Sequence, residues 1–277
     1  MKHPTMKVSS LQNTLLLIVF CFISTGLLSQ SEIGDLKLLN WKPKSQMVTE
    51  KTKIMHPKFP VIDIHNHLGN LGNTEQYLEE MNEAGVRMCV SLDARSKNDF
   101  YKEHLQASNE VSKERFLVFY RPDFSRINEP NWGQREAEKL EKAVAMGIKG
   151  LKISKSLGLS YKDKNGKLIP VDDPRIDPIW AKCGELKIPV MIHTSDPKAF
   201  FDPIDRYNER YDELAGHPSW SFYGDEYPSK DELLNQRNRV FARHPNTIFI
   251  GAHMANLPEN LGRVAMWLET YPNLYVD

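Results

Sequence analysis

The sequence predicts a (β/α)8 TIM-type barrel, apparently truncated within strand seven, and three observations support this. From Val61 onward, short apolar runs rich in β-branched residues alternate with longer amphipathic stretches. Helix caps stand between the runs, and histidines recur where runs end. Such alternation specifies parallel strands joined by helices, and seven runs in one series fit either a barrel of eight or an open doubly wound sheet.

The runs are VIDIH (61–65), VRMCVSLD (86–93), FLVFYR (116–121), IKGLKIS (148–154), IPVMIH (188–193), TIFIGAH (247–253) and NLYVD (273–277). Asn73 and Thr74 open the helix EQYLEEMNEAG, and Gly85 stops it. Asp177 followed by Pro178 reads as a cap with proline at the first helical position. Ser229 and Glu232 form a capping box ahead of LLNQRNRVFA. Two connections are long: 156–176, whose Asn165-Gly166 pair marks a small hairpin turn, and 197–230, which carries eight aromatic residues. Those aromatics either form a substrate-covering lid or merely anchor the loop. Both connections leave the carboxyl ends of strands, where barrels carry their sites.

Residues 1–29 read as a secretory signal peptide, with Lys2 and Lys7 ahead of the apolar run 15–23. That run is too short for a membrane span of about 20 residues, and the alternative is an uncleaved amphiphilic anchor. The expected protein is therefore exported, periplasmic or secreted, with no stable span after cleavage. Residues 30–60 read as an extended N-terminal arm and 61–277 as the barrel domain, its C-terminal part missing. Lys and Arg number 36, as do Asp and Glu, so no charge excess points to nucleic acid and a small-molecule substrate fits better. A homo-oligomer is compatible with this composition. Cys89 and Cys183 lie in apolar segments and read as buried free thiols.

Chemistry concentrates in Asp63-Ile64-His65-Asn66-His67. Side chains at i and i+2 of a strand face the same way, so His65 and His67 can project together and grip one cation at about 2.0–2.1 Å. His193 and His253 close two further runs. Four of nine histidines thus fall at the carboxyl ends of three expected strands, a placement that points to a metal centre. His3, His56, His104, His217 and His244 lie in the leader, the arm, helices or loops and are given no role.

These motifs, VIDIHNHLG, VMIHTSD and FIGAHMAN, resemble the amidohydrolase superfamily, in the branch related to aminocarboxymuconate-semialdehyde decarboxylase. The resemblance runs from Val61 to the last residue. It implies a divalent metal, commonly zinc, with manganese or iron as alternatives, held by His65, His67 and His193 and by an aspartate of an eighth strand. It also implies that His253 is the catalytic acid–base group or a donor to substrate. The chain stops at Asp277 in the seventh strand, so that aspartate is absent, and a partial sequence is expected because seven strands leave two open edges. Asp277 matches a strand-seven position and is read as a neighbour of substrate or ligands.

Four more residues are candidates for substrate contact or ligand support. Lys152 shares the inward parity of Ser154, and other amidohydrolases carboxylate such a lysine; a lysine that only pairs with a carboxylate is the alternative. Asp63 points to the barrel axis if its strand is regular, where it would orient a ligand histidine. Arg121 and Asp196 stand just past strand ends. Neutral imidazoles leave a cation's charge largely uncompensated, which acidifies water and polarises carbonyls. The first expectation is hydrolysis of an amide, ester or lactone, the second decarboxylation of an unsaturated or aromatic acid, and the rival from another class a non-catalytic exported ligand-binding barrel. No G-x-G-x-x-G follows the first run, which argues against a nucleotide enzyme.

Overall fold

The computed structural model describes residues 37–40, 42–44, 57–69 and 71–277. The expected signal peptide and most of the arm lie outside these residues. Seven parallel strands form one curled sheet in sequence order: β1 Val61–Asn66, β2 Val86–Arg95, β3 Phe116–Arg121, β4 Gly150–Ile153, β5 Val190–Ile192, β6 Phe249–Gly251 and β7 Leu274–Val276. Every neighbouring pair is parallel, and no ladder joins β7 to β1 among the described residues. The expected runs all become strands. β3 keeps its expected limits, while β4 to β7 are shorter than the expected runs, although flanking residues still bond across to neighbouring strands, as His193 N does to Ile153 O.

The main connecting helices are α1 Thr74–Ala84, α2 Phe100–Ser112, α3 Trp132–Met146, α4 Asp177–Leu186, α5 Lys230–Arg243 and α6 Leu261–Thr270. Gly85 ends α1 at φ 72°, a left-handed cap that costs a glycine no Cβ clash. Ser229 Oγ accepts from Glu232 N at 3.1 Å, but the Glu232 carboxylate turns to Arg239 and Gln236, so only half the capping box forms. The cap expected at Asp177 is corrected: Pro174 starts an extra 3-10 turn, Asp173 caps it through Arg175 N at 2.9 Å, and Asp177 is already helical. Its carboxylate instead meets Arg243 and His244. Gly166 takes φ 80° in the short turn closed by the Lys162–Leu168 bridge, as expected of the Asn-Gly pair.

Side-chain alternation sorts the strands into two layers. Val90, Leu92, Phe119, Met191, Ile250 and Ala252 form one buried cluster on the inner face of the sheet. The opposite faces pack on the helices in the larger core, which includes Leu140, Trp180, Phe241 and Trp267. Each such side chain contributes roughly 1.5–3 kcal/mol by leaving water. Inner residues of β4 are Gly150 and Lys152; the Phe119 ring lies across Gly150, and nearer the mouth Lys152 is 2 % exposed. Cys89 and Cys183 are buried and free, as expected. Burial pushes the Cys89 thiol up to about 12 and the Cys183 thiol higher still. Among the described residues, no helix is long and apolar enough to cross a membrane.

The 197–230 connection is not structureless. It contains a 3-10 turn at Lys198–Phe201, a helix at Tyr211–Gly216 and another turn at Pro218–Trp220. Phe200 is buried, and Phe201, Phe222 and Tyr227 pack on the core, whereas Tyr207, Tyr211, Trp220 and Tyr223 are exposed. The inner aromatics therefore anchor the loop and the outer ones do not.

A Cβ at position 150 would lie 2.5 Å from the Phe119 ring. Gly150→Ala is expected to destabilise the fold by about 1–3 kcal/mol through overpacking, and Phe119→Leu in the same chain to recover part of that loss. Denaturant midpoints of the two single variants and the double variant check this.

Candidate metal centre

Four histidines gather where β1, β5 and β6 end, but not with the pairing that strand periodicity suggests. One ring nitrogen from each of His65, His193 and His253 lies within 4.8 Å of the others. The His253 ring stacks on His65 at 4.7 Å between centroids and meets His193 edge-on at 4.9 Å. His67 stands outside this group. β1 stops at Asn66, and the His67 ring, 5.7 Å from that of His65, turns to Asp93. The expected ligand set thus shares only His65 and His193 with the triad brought together here.

Each imidazole of the expected ligand set has a carboxylate beside it. His65 Nδ1 lies 2.5 Å from Asp277 Oδ2, His67 Nδ1 3.0 Å from Asp93 Oδ1, and His193 Nε2 3.8 Å from Asp196 Oδ1. Such partners fix ring orientation and tautomer. Burial opposes ionisation of all three acids, yet His65 and the His253 N–H hold the Asp277 carboxyl below its ordinary range. His67 with Arg121 does the same for Asp93, and His193 with Lys155 for Asp196. Arg121 Nη1 donates to Asp93 Oδ1 at 3.1 Å and Lys155 Nζ to Asp196 Oδ2 at 2.5 Å.

Burial lowers the pKa of His193, and burial with the neighbouring His193 and His65 lowers that of His253, so both stay neutral donors below the ordinary imidazole range. Lys152 turns inward as its parity predicted, its Nζ 3.0 Å from His65 Nε2. Burial and the Arg121 charge bring its pKa down to about 7. Two nitrogens on one zinc ion are at most about 4.2 Å apart, so the triad is slightly open. Three imidazole nitrogens converging on one point are nevertheless the donor chemistry a divalent cation takes.

The expectation for Asp63 is corrected. A register shift between Asp63 and Asn66 breaks the period of two, and the Asp63 carboxylate accepts from His65 N and Asn66 Nδ2. It sits beside Cys89 and Tyr77, toward α1 rather than the barrel axis. A second shift in β2, between Ser91 and Ala94, brings Asp93 to the mouth. Sequence reading missed Asp93, although an acid closing an apolar run was the available sign. It also missed Asn256, whose Oδ1 accepts from Thr194 N at 3.1 Å and whose Nδ2 donates to Ser195 O at 3.2 Å, beside His193.

Past β6 the backbone is left-handed at four successive residues: His253, Met254, Ala255 and Asn256 have φ of 52–56°. Each costs about 1–2 kcal/mol, less for asparagine. The Asp277 side chain accepts from His253 N, and Asp277 O accepts from Met254 N at 3.3 Å. Of the histidines given no role, His104 is buried against Ser91, His217 stacks on Trp220 and His244 meets Asp177; His3 and His56 lie outside the described residues.

The sequence matches the model of the family described as Amidohydrolase over residues 62–277. The chain belongs to the amidohydrolase family. This family comprises metal-dependent enzymes, hydrolases and decarboxylases among them, acting on small molecules. A TIM-barrel protein of Bordetella bronchiseptica is 15 % identical, with 79 % of this amidohydrolase and 74 % of that chain covered and a TM-score of 0.49. For the IDCase of Metarhizium anisopliae the values are 13 %, 76 %, 70 % and 0.46. For an amidohydrolase of Mycobacterium avium subsp. paratuberculosis they are 15 %, 72 %, 57 % and 0.38. No curated protein matches the sequence.

Charged Lys152 repels a cation beside His65, and its protonated form prevails below about pH 7. The neutral His193 and His253 do not limit binding there, since their pKa values are lowered. Zinc affinity is therefore expected to fall as pH drops through about 7, and Lys152→Met to remove that step. Competition with a zinc-sensitive dye between pH 6 and 8, roughly one unit either side of the Lys152 value, measures it.

Proposed function

We propose that this protein is a metal-dependent hydrolase of an amide, ester or lactone, exported by the leader at 1–29 and holding zinc, manganese or iron at the barrel mouth. The observation that supports it is the convergence of His65, His193 and His253, with carboxylates orienting the first two. When bound, such a cation supplies Lewis acidity toward water and a carbonyl. His65 and His193 would hold it. The third imidazole is His253, on its present approach to the other two, with His67 the alternative that the family resemblance implies.

The protein's own groups would then manage protons and substrate. With its Nδ1 proton shared toward Asp277, His65 directs the Nε2 lone pair inward. The half-exposed His253 ring faces solvent and can carry a proton to or from a substrate. Lys152, with a pKa of about 7, can take a proton as a free amine at neutral pH. The bulk of the 197–230 connection leaves the carboxyl end of β5, from where its outer aromatics Trp220 and Tyr223 could reach a bound molecule.

Decarboxylation is the second reading, in line with the likeness to the aminocarboxymuconate-semialdehyde decarboxylase branch. A cavity of about 120 Å³ favours it. Arg95, Lys97, Arg121 and Lys152 line it together with Phe124 and Tyr161. Three cationic side chains and two aromatic rings, with Lys152 beside them and Asp123 the one acid in the lining, suit an aromatic or unsaturated carboxylate.

Removal of metal by a chelator should abolish turnover and re-addition of zinc, manganese or iron restore it. A panel of esters and lactones assayed for acid release, alongside aromatic carboxylates assayed for carbon dioxide, separates the two readings. Absence of metal-dependent turnover on either panel would reject both and favour a ligand-binding barrel.

His65→Ala and His193→Ala are each expected to lose most bound metal. Of the remaining pair, His253→Ala should lose more than His67→Ala, and His217→Ala should match the parent. Metal content after dialysis against zinc decides, and greater loss in His67→Ala would give the third position to His67.

A further inference from the structure

Arg237 occupies a place that packing alone does not explain. It stands on α5 between Leu233 and Phe241, residues one helical turn away on either side, and its side chain is entirely buried. The guanidinium lies between two aromatic faces, 4.9 Å from the Trp267 ring and 5.2 Å from that of Phe241. Nε and Nη2 donate to Asn238 Oδ1 at 3.2 and 3.0 Å. Among the described residues no carboxylate pairs with it. A buried cation without a counter-ion weakens a fold relative to an apolar side chain of similar size, so the arginine needs another reason to be there.

That reason is its last donor. Arg237 Nη1 donates to Ala255 O, a carbonyl in the middle of the left-handed run 253–256. No glycine relieves that run, and besides backbone bonds three side-chain ties hold it: the Asp277 carboxylate on His253 N, the Asn256 amide on Thr194 and Ser195, and the guanidinium on Ala255. The first two act from the mouth of the sheet. Only Arg237 acts from the helix layer, where water cannot substitute for it. We infer that Arg237 is a positioning residue: by fixing the Ala255 carbonyl it sets the left-handed turn that aims the His253 imidazole at His65 and His193. The inference holds whether His253 binds metal or carries protons, and it can be read without metal.

The experiment uses the full chain with isotope-labelled histidine Cε1 and no added metal, the His253 signal being assigned through His253→Gln. Arg237→Met keeps the bulk and removes the donors. Arg237→Lys keeps the charge but ends one bond short of the Nη1 position. The wild-type position of the His253 signal should be lost in Arg237→Met and displaced less in Arg237→Lys, while the signals of His104 and His244, buried elsewhere, stay in place. An unmoved His253 signal in whichever variant folds would overturn the inference. So would a common displacement of all histidine signals, or failure of both variants to fold, since each would make Arg237 a core residue only.

Discussion

Basic groups of like potential charge crowd the mouth of this barrel, and they can do so only if most of them are neutral. Two unit charges 4 Å apart near a protein surface repel by about 4 kcal/mol. The rings of His65, His193 and His253 lie together, and Lys152 lies against His65. Burial meets the constraint by lowering the proton affinity of His193, His253 and Lys152. Asp277 and Asp196 meet it from behind, each lying beside one imidazole. The site has the polarity of a cation receptacle because the fold cannot tolerate cations there of its own.

The frame that allows this crowding is the sorting of strand residues by layer and by height. Low in the sheet the inner positions are apolar, with Phe119 lying over Gly150; one step up the same strand, the inner position is Lys152. Outer positions of the same strands feed the helix core, which holds the strand ends that carry the mouth. β1 and β7 share no ladder among the described residues, yet the Asp277 side chain bridges from one to the other through His65. That single carboxylate also holds the start of the left-handed turn, which couples ring orientation on β1 to backbone conformation after β6.

Period-two and capping logic carried the reading of the fold a long way. All seven strands, the Gly85 and Ser229 helix ends and the inward turn of Lys152 were legible because each depends on local pattern. The site was legible only in outline. His65, His193 and His253 could be placed at strand ends, but which three imidazoles converge depends on two register shifts, in β1 and β2, that no residue announces. Those shifts turn Asp63 away and bring Asp93 in. The left-handed run was hidden for a similar reason: it is imposed by hydrogen bonds from distant residues on a sequence without glycine. Arg237 did leave a trace, as an arginine spaced one turn from both Leu233 and Phe241 on the buried side of its helix.

The two free cysteines among the described residues lie where redox chemistry cannot easily reach them. Thiol–disulfide exchange requires a thiolate within reach of a partner. Cys89 lies beneath α1 and α2 with its pKa raised to about 12, and Cys183 is sealed inside α4 with its pKa higher still. At neutral pH less than roughly one molecule in ten thousand would carry a thiolate at Cys89, and it would be shielded from any oxidant. Neither of these two thiols is therefore placed to exchange with an oxidant or a partner thiol while the domain is folded.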